Sequence, residues 1–154
     1  MNTNSTPNQS IYRVLDANLN RAREGLRVME EVARFITETK KYAKQLKAAR
    51  AKLHKAAQAL PRPEMIVLAR NAAGDIGKEI NPKIEFKRSS IAGLFQANAK
   101  RVQEALRVLE EFTKLLVNQS DKIGTGKIKT AATFKKIRFE VYNIEKYFIA
   151  NILI

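Results

Sequence analysis

The sequence has no cysteine and no tryptophan among its 154 residues. Without thiols there is no disulfide framework, no thiolate metal site and no cysteine nucleophile, and a reducing compartment is the expected setting. Four prolines, six glycines and 7% aromatic residues are too few for the turn-dense sequence of a sandwich or barrel. No stretch approaches the roughly 20 apolar residues that cross a bilayer, and the opening MNTNSTPNQS lacks the basic flank and apolar run of a secretory leader. A cytoplasmic protein with no membrane partner is expected. With a single histidine, His54, neither a Ser/His/Asp arrangement nor a His-rich metal cluster is available. Acidic residues are scarce as well: 15 Asp and Glu stand against 29 Lys and Arg, for a net charge of +14. That imbalance points to anionic partners, whether nucleic acid, an acidic membrane surface or phosphorylated small molecules, although a solvated Lys-rich surface accounts for about half of it.

What is abundant is Ala, Leu, Lys, Arg and Glu, the composition of helices. The chain also repeats itself. ANLNRAREGLRVMEEVARF (17–35) aligns without gaps to ANAKRVQEALRVLEEFTKL (97–115), and LKAARAKLHKAAQAL (46–60) aligns more weakly to FKKIRFEVYNIEKYF (134–148). Each unit is therefore a helix pair. The additional residues of the second unit fall in DKIGTGKIKT (121–130), read as a linker. GTGK within it lacks the spacing and strand-to-helix context of a phosphate loop. Between the units, Pro61, Pro63, Gly74, Gly77 and Pro82 interrupt regular structure and leave room for one short helix near residues 63–71. The expected fold is an all-α bundle of four to five helices, built from two pseudo-two-fold-related helix pairs with an irregular central loop. Residues 1–10 are expected to form a disordered tail and 11–154 one domain, with repeat units at about 12–60 and 92–150.

The first helix carries an apolar seam of Leu15, Leu19, Ala22, Leu26, Met29, Ala33 and Ile36, widened by Val28, Val32 and Phe35. Leu106, Leu109, Phe112, Leu115 and Leu116 continue it in the second copy. Leu46, Ala49, Leu53, Ala57 and Leu60, and their partners Phe134, Ile137, Val141, Ile144 and Phe148, form the shorter rows.

Polar residues interrupt these seams in matched pairs: Asn18 and Asn98, Arg21 and Arg101, Arg50 and Arg138. Two interpretations compete. In one, these residues form internal ion pairs and backbone caps, with Arg21 on Glu24 or Glu31 and Arg101 on Glu104. In the other, which we favour, inward guanidinium forks line a pocket that grips phosphate or carboxylate oxygens. Arg27, Glu30, Arg34, Arg107, Glu110 and Lys114 fall on the outer faces, as ordinary helical ion pairs. The central segment ARNAAGDIGKE (69–79) offers Arg70, Asp75 and Gly77 in an irregular loop. Asp75 is the candidate general base or metal-binding carboxylate, against the alternative of a turn-forming Asp before Gly77.

Taken together, LDANLNRAREGLRVMEEVARF, ARNAAGDIGKE and QANAKRVQEALRVLEEF closely resemble the alternative hydroxymethylpyrimidine phosphate kinases. That family is unrelated to the ribokinase-like enzymes of the same activity, and occurs alone or ahead of thiamin phosphate synthase. The resemblance spans about residues 12–147. It implies ATP-dependent phosphorylation of 4-amino-5-hydroxymethyl-2-methylpyrimidine phosphate to the diphosphate, with ATP and Mg²⁺ as cofactors. Asn71 stands where the family commonly has Asp. No counterpart of the synthase barrel is present in the sequence, so the joining of pyrimidine to thiazole is not expected of it. The resemblance does not itself give individual roles; from the inward cations and carboxylates that phosphoryl transfer needs, Asp75, Arg21 and Arg101 are assigned to catalysis, and Asp75 also to the metal. Asn18, Glu24, Arg50, Arg70, Gly77, Asn98, Glu104 and Arg138 are assigned to substrate and phosphate. A basic nucleic-acid-binding domain and a helical enzyme acting on a carboxylate substrate are the competing classes, and self-association is left open.

Overall fold

The computed structural model describes residues 7–80, 88–116 and 125–153. Among these residues all regular structure is helical: α1 (Pro7–Glu31), which continues as a π-helical turn (Val32–Ile36), α2 (Lys40–Gln58), α3 (Glu64–Leu68), α4 (Ile91–Thr113) and α5 (Thr125–Asn151). The sequence repeat maps onto the pairs α1–α2 and α4–α5. The most extensive packing joins the long helices α1 and α4, and each also packs on its own short-row partner.

Packing follows the apolar seams. Leu15, Leu19, Ala22, Leu26, Met29 and Ala33 are buried on α1, as are Leu46, Ala49, Leu53, Ala57 and Leu60 along α2 and the residue that follows it. Phe134, Ile137, Val141, Ile144 and Phe148 are buried on α5. At one end of the core the Phe95 and Phe148 rings stack at 4.4 Å, with Tyr42 edge-on to Phe148 at 5.3 Å. This geometry adds to the area term that drives the bundle together.

The seam ends earlier than its periodicity suggests. Phe35 and Ile36, expected inside, are more than half exposed. The Thr37 N–H donates to Val32 O, five residues back, so the chain widens into a π turn and rotates the following side chains off the core. Glu38 then adopts a left-handed φ of 49° and reverses the chain into α2. Leu115, expected in the second seam, is likewise exposed, while Leu116 is buried.

Three boundaries also differ from expectation. Residues 7–10, expected in the tail, form the first turn of α1, and the short central helix is confined to Glu64–Leu68. Residues 125–130, expected in the linker, open α5, where Lys127 Nζ donates to Leu116 O at 3.0 Å. The linker residues before them lie outside the described residues. Ser90 caps α4 by accepting from the Gly93 N–H at 3.0 Å.

At Gly25 the helices α1 and α4 are in close contact. A Cβ built there would lie 2.6 Å from Val102 Cγ2 and 3.1 Å from Asn98 O, so the crossing requires a residue without a side chain.

Candidate functional site

One face of α1 and the central loop enclose a cleft of about 580 Å³, lined by Arg13, Asp16, Asn18, Arg21, Arg70 and Asp75 among others. The helix contributes side chains at three- and four-residue spacings, which puts Arg13, Asp16, Ala17, Asn20 and Arg21 on a common stripe. Two side-chain turns shape the loop opposite: Asn71 Oδ1 accepts from the Gly74 N–H at 3.0 Å, and Asp75 Oδ1 accepts from the Gly77 N–H at 2.9 Å. The loop is tied to the helix by one bidentate pair. Arg70 Nε and Nη2 each donate at 2.7 Å, to Asp16 Oδ2 and Oδ1.

The structure brings Asn18, Arg21, Arg70 and Asp75 together in this cleft. Arg21 is exposed on the helix flank rather than inward, with Nη1 3.4 Å from Asn18 Oδ1. Asn18 and Asn98 make the same bond in each copy: Nδ2 donates at 2.9 Å to the carbonyl of Val14 or Leu94, four residues back. Gly77 serves the loop turn through its N–H. Asn98, Arg101, Glu24 and Glu104 do not line the cleft. Arg101 and Glu24 face each other across the α1–α4 crossing at 3.9 Å, both exposed, and Glu104 is exposed on α4. The expected pairing of Arg101 with Glu104 is replaced by this contact between helices.

Arg50 and Arg138, expected on ligand phosphates, hold carboxylates of their own chain. Arg50 Nη1 donates to Glu30 Oε2, and Arg138 Nη2 donates to Glu110 Oε2 at 2.6 Å. These are equivalent pairs in the two halves. Each glutamate has a second arginine on its own helix, Arg27 for Glu30 at 4.0 Å and Arg107 for Glu110 at 3.1 Å. Glu30 and Glu110 are thus buried, not outer-face residues as their helical positions suggest: the wheel places them correctly on α1 and α4 but cannot show that α2 and α5 cover them. Burial alone would push the Glu110 carboxyl up, but hydrogen bonds and charge from Arg138 and Arg107 outweigh it and hold the group below its ordinary value.

Two cleft residues escape the sequence analysis, Asp16 and Arg13. Asp16 is buried and precedes the aligned repeat by one position, where the second copy has the exposed Gln96. The signal that could have found it is a carboxylate between Leu15 and Ala17 on a buried face, unmatched in the other half.

Residues 13–147 match the ThiD2 family. The chain belongs to that family. Among curated relatives it is 42% identical over 137 residues to the thiamine-phosphate synthase of Nostoc sp. (strain PCC 7120 / SAG 25.82 / UTEX 2576), covering 89% of this chain and 35% of that protein. It is 38% identical over 148 residues to the thiamine-phosphate synthase of Synechocystis sp. (strain ATCC 27184 / PCC 6803 / Kazusa), covering 94% of this chain and 38% of that protein. The thiamine-phosphate synthase of Rhodopirellula baltica (strain DSM 10527 / NCIMB 13988 / SH1) is 35% identical over 134 residues, which is 87% of this chain and 33% of the relative. The chain thus spans about a third of the length of the curated relatives it matches. No solved structure matches it.

In this ThiD2 chain the cleft is electrostatically mixed. Three arginines, Arg13, Arg21 and Arg70, meet the carboxylates of Asp16 and Asp75. Hydrogen bonding to Asp16 and its charge raise the Arg70 guanidinium above its already high value. Asp16 has both oxygens engaged, whereas Asp75 Oδ2 makes no hydrogen bond among the described residues. No group of three or more His, Asp or Glu side chains suited to a metal comes together among those residues, and none of their helices is long and apolar enough to cross a membrane.

Proposed function

We propose that this chain transfers the γ-phosphoryl group of ATP to a phosphate oxygen of 4-amino-5-hydroxymethyl-2-methylpyrimidine phosphate, giving the diphosphate and ADP. The observation that carries this reading is the cleft itself, where Arg13, Arg21 and Arg70 converge with Asp75 in a volume suited to a small phosphorylated molecule. Membership in the ThiD2 family, and relatives named for thiamine-phosphate synthesis, support the pyrimidine as substrate.

Phosphoryl transfer needs little covalent help from a protein. It needs cations around the migrating group and in-line placement of the attacking phosphate oxygen. Arg21 and Arg13, exposed on the helix stripe and with only weak internal bonds, are the cations available to ligand oxygens. Arg70 is less available, because Asp16 already takes two of its donors; its role is to fix the loop that presents Asp75. Asp75 would accept the proton of a singly protonated substrate phosphate as its oxygen attacks the γ-phosphorus and ADP leaves. Mg²⁺, which usually takes one or two carboxylates along with nucleotide phosphates, fits the same residue through its unengaged Oδ2. When bound, it would neutralise charge on the transferring phosphate. Arg101, with Glu24 and Glu104, contributes through the α1–α4 crossing rather than within the cleft.

Incubating the purified chain with ATP, Mg²⁺ and the pyrimidine monophosphate should yield the diphosphate. Absence of product across metals and pH, with the chain folded, would sink the proposal. A nucleic-acid-binding domain is the weaker reading, because membership in the ThiD2 family and relatives named for thiamine-phosphate synthesis favour an enzyme of small molecules.

A further inference from the structure

The internal repeat supplies a reference for a smaller cavity that adjoins the cleft. In the second half, Lys100, Gln103 and Glu145 form a closed triad. Gln103 Nε2 donates to Glu145 Oε2, and Lys100 Nζ lies 3.3 Å from Glu145 Oε1. Both Gln103 and Glu145 are buried. The register of the repeats sets Asn20 opposite Lys100, Arg23 opposite Gln103, and Ala57 opposite Glu145. The first half therefore retains two donor side chains, Asn20 with a long 3.4 Å bond to Asp16 Oδ1, and lacks a carboxylate that serves both.

The Ala57 methyl group leaves space there. A cavity of about 130 Å³ is lined by Asn20, Arg23, His54, Ala57, Gln58 and Arg70, among others. It shares Asp16, Asn20 and Arg70 with the larger cleft, so the two are joined across the Asp16–Arg70 pair. Among the described residues Arg23 meets no carboxylate; its Nη1 donates only to Asn20 Oδ1, at 3.3 Å. Leu19 and Ile66 also line the cavity, an apolar component that strengthens any charged hydrogen bond formed above it.

We propose that this cavity is an anion subsite, in which a phosphate group of a ligand stands to Asn20 and Arg23 as the Glu145 carboxylate stands to Lys100 and Gln103. Donors reach it from separate elements: Asn20 and Arg23 from α1, His54 and Gln58 from α2, and Arg70 at the junction. That spread suits a tetrahedral phosphate better than a planar carboxylate. The identity of the ligand rests on the proposed function, under which two molecules with terminal phosphates, the nucleotide and the pyrimidine monophosphate, occupy neighbouring space. Either could place a phosphate here.

The test is to transplant the second half's own plug. The triple variant Asn20→Lys/Arg23→Gln/Ala57→Glu copies a triad that this fold already accommodates, and Arg23→Gln alone removes one exposed cation. Binding of inorganic phosphate, of a non-hydrolysable ATP analogue and of the pyrimidine monophosphate is measured for each by calorimetry, with helicity and melting followed by circular dichroism. Loss of a charge-assisted contact should weaken phosphate and one of the two ligands by about tenfold or more in Arg23→Gln. The triple variant should melt like the parent and lose that binding. Whichever ligand weakens is the source of the phosphate. These are binding measurements, so a chain that binds in this pattern without turnover would fail the kinase reading and keep the subsite. Parental affinity for all three probes in Arg23→Gln overturns the proposal, even if the triple variant is impaired, because the insert would then merely obstruct the larger cleft. If the triple variant does not fold, Arg23→Gln decides alone.

Discussion

Arg138 Nη2 lies 2.6 Å from Glu110 Oε2, with only 12% and 7% of the two side chains exposed, and Arg50 meets Glu30 in the same way in the other half. The pairs join α5 to α4 and α2 to α1, so an equivalent arginine–glutamate contact spans each helix pair. In both, the guanidinium Nε is buried without a hydrogen-bond partner. The desolvation cost of such a pair consumes much of its attraction, and its effect is largest when only one member is removed.

Arg138→Ala should therefore destabilise the fold by about 3 kcal/mol or more, because Glu110 is left buried with only Arg107 beside it. Arg138→Met combined with Glu110→Leu should recover most of the loss. Urea unfolding of the two single variants and the double gives the coupling energy, and additive losses would show that the contact is not a coupled pair.

The depressed Glu110 carboxyl predicts the acid limb of stability. A group whose folded pKa lies below its unfolded value, taken as 4.5, stabilises fully above that value and loses its contribution as pH falls through the folded pKa. The urea midpoint should drop from near pH 5 downward, and Glu110→Gln should flatten that slope. An unchanged slope in the variant would assign acid sensitivity to other carboxylates.

Gly25→Ala sets two effects against each other. Helix propensity favours Ala by about 1 kcal/mol, while overpacking against Val102 and the Asn98 carbonyl costs about 1–3 kcal/mol. The contact at 2.6 Å is severe, so net destabilisation is expected. Adding Val102→Ala should relieve the clash but leave Gly25→Ala/Val102→Ala short of the parent, since Val102 is itself core. Thermal melts of the three variants test this, and a stabilised Gly25→Ala would show that α4 can shift.

Asp16→Asn should weaken the bidentate hold on Arg70 and loosen the loop. Because Arg70 is nearly half exposed, global stability should change by under about 1 kcal/mol. Amide exchange at residues 70–80 should quicken, and under the proposed function kcat/KM should fall about tenfold. A large drop in melting temperature with unchanged loop exchange would mean that the pair serves the core instead.

Most of the frame was readable from sequence because a helix reports its buried face by spacing alone. Leu15 to Ala33, and the apolar rows along α2 and α5, needed no knowledge of their neighbours. Glu30 and Glu110 were misread because their burial is created by another helix, and no local pattern records that covering. Arg50 and Arg138 stood out correctly as charges on apolar faces, yet a guanidinium aimed inward looks the same whether a carboxylate or a ligand awaits it. Phe35 and Ile36 failed for a geometric reason, since a π turn changes the angular step on which the prediction depends. Asp16 was passed over because the search for sameness between halves started at Ala17, and the Asp16–Arg70 pair that ties the cleft has no counterpart in the other half.

That difference bears on how many ligands the chain can count. A molecule folded from two like hairpins invites an expectation of two equivalent binding events, with curves shaped by the interplay of twin sites. The Glu145 side chain removes that symmetry from within, since one half is permanently saturated by a group the chain cannot release. Under the proposed subsite, phosphate titration at the position shared by Ala57 and Glu145 should end at a single equivalent per chain, because one twin holds an internal carboxylate where the other would hold a ligand.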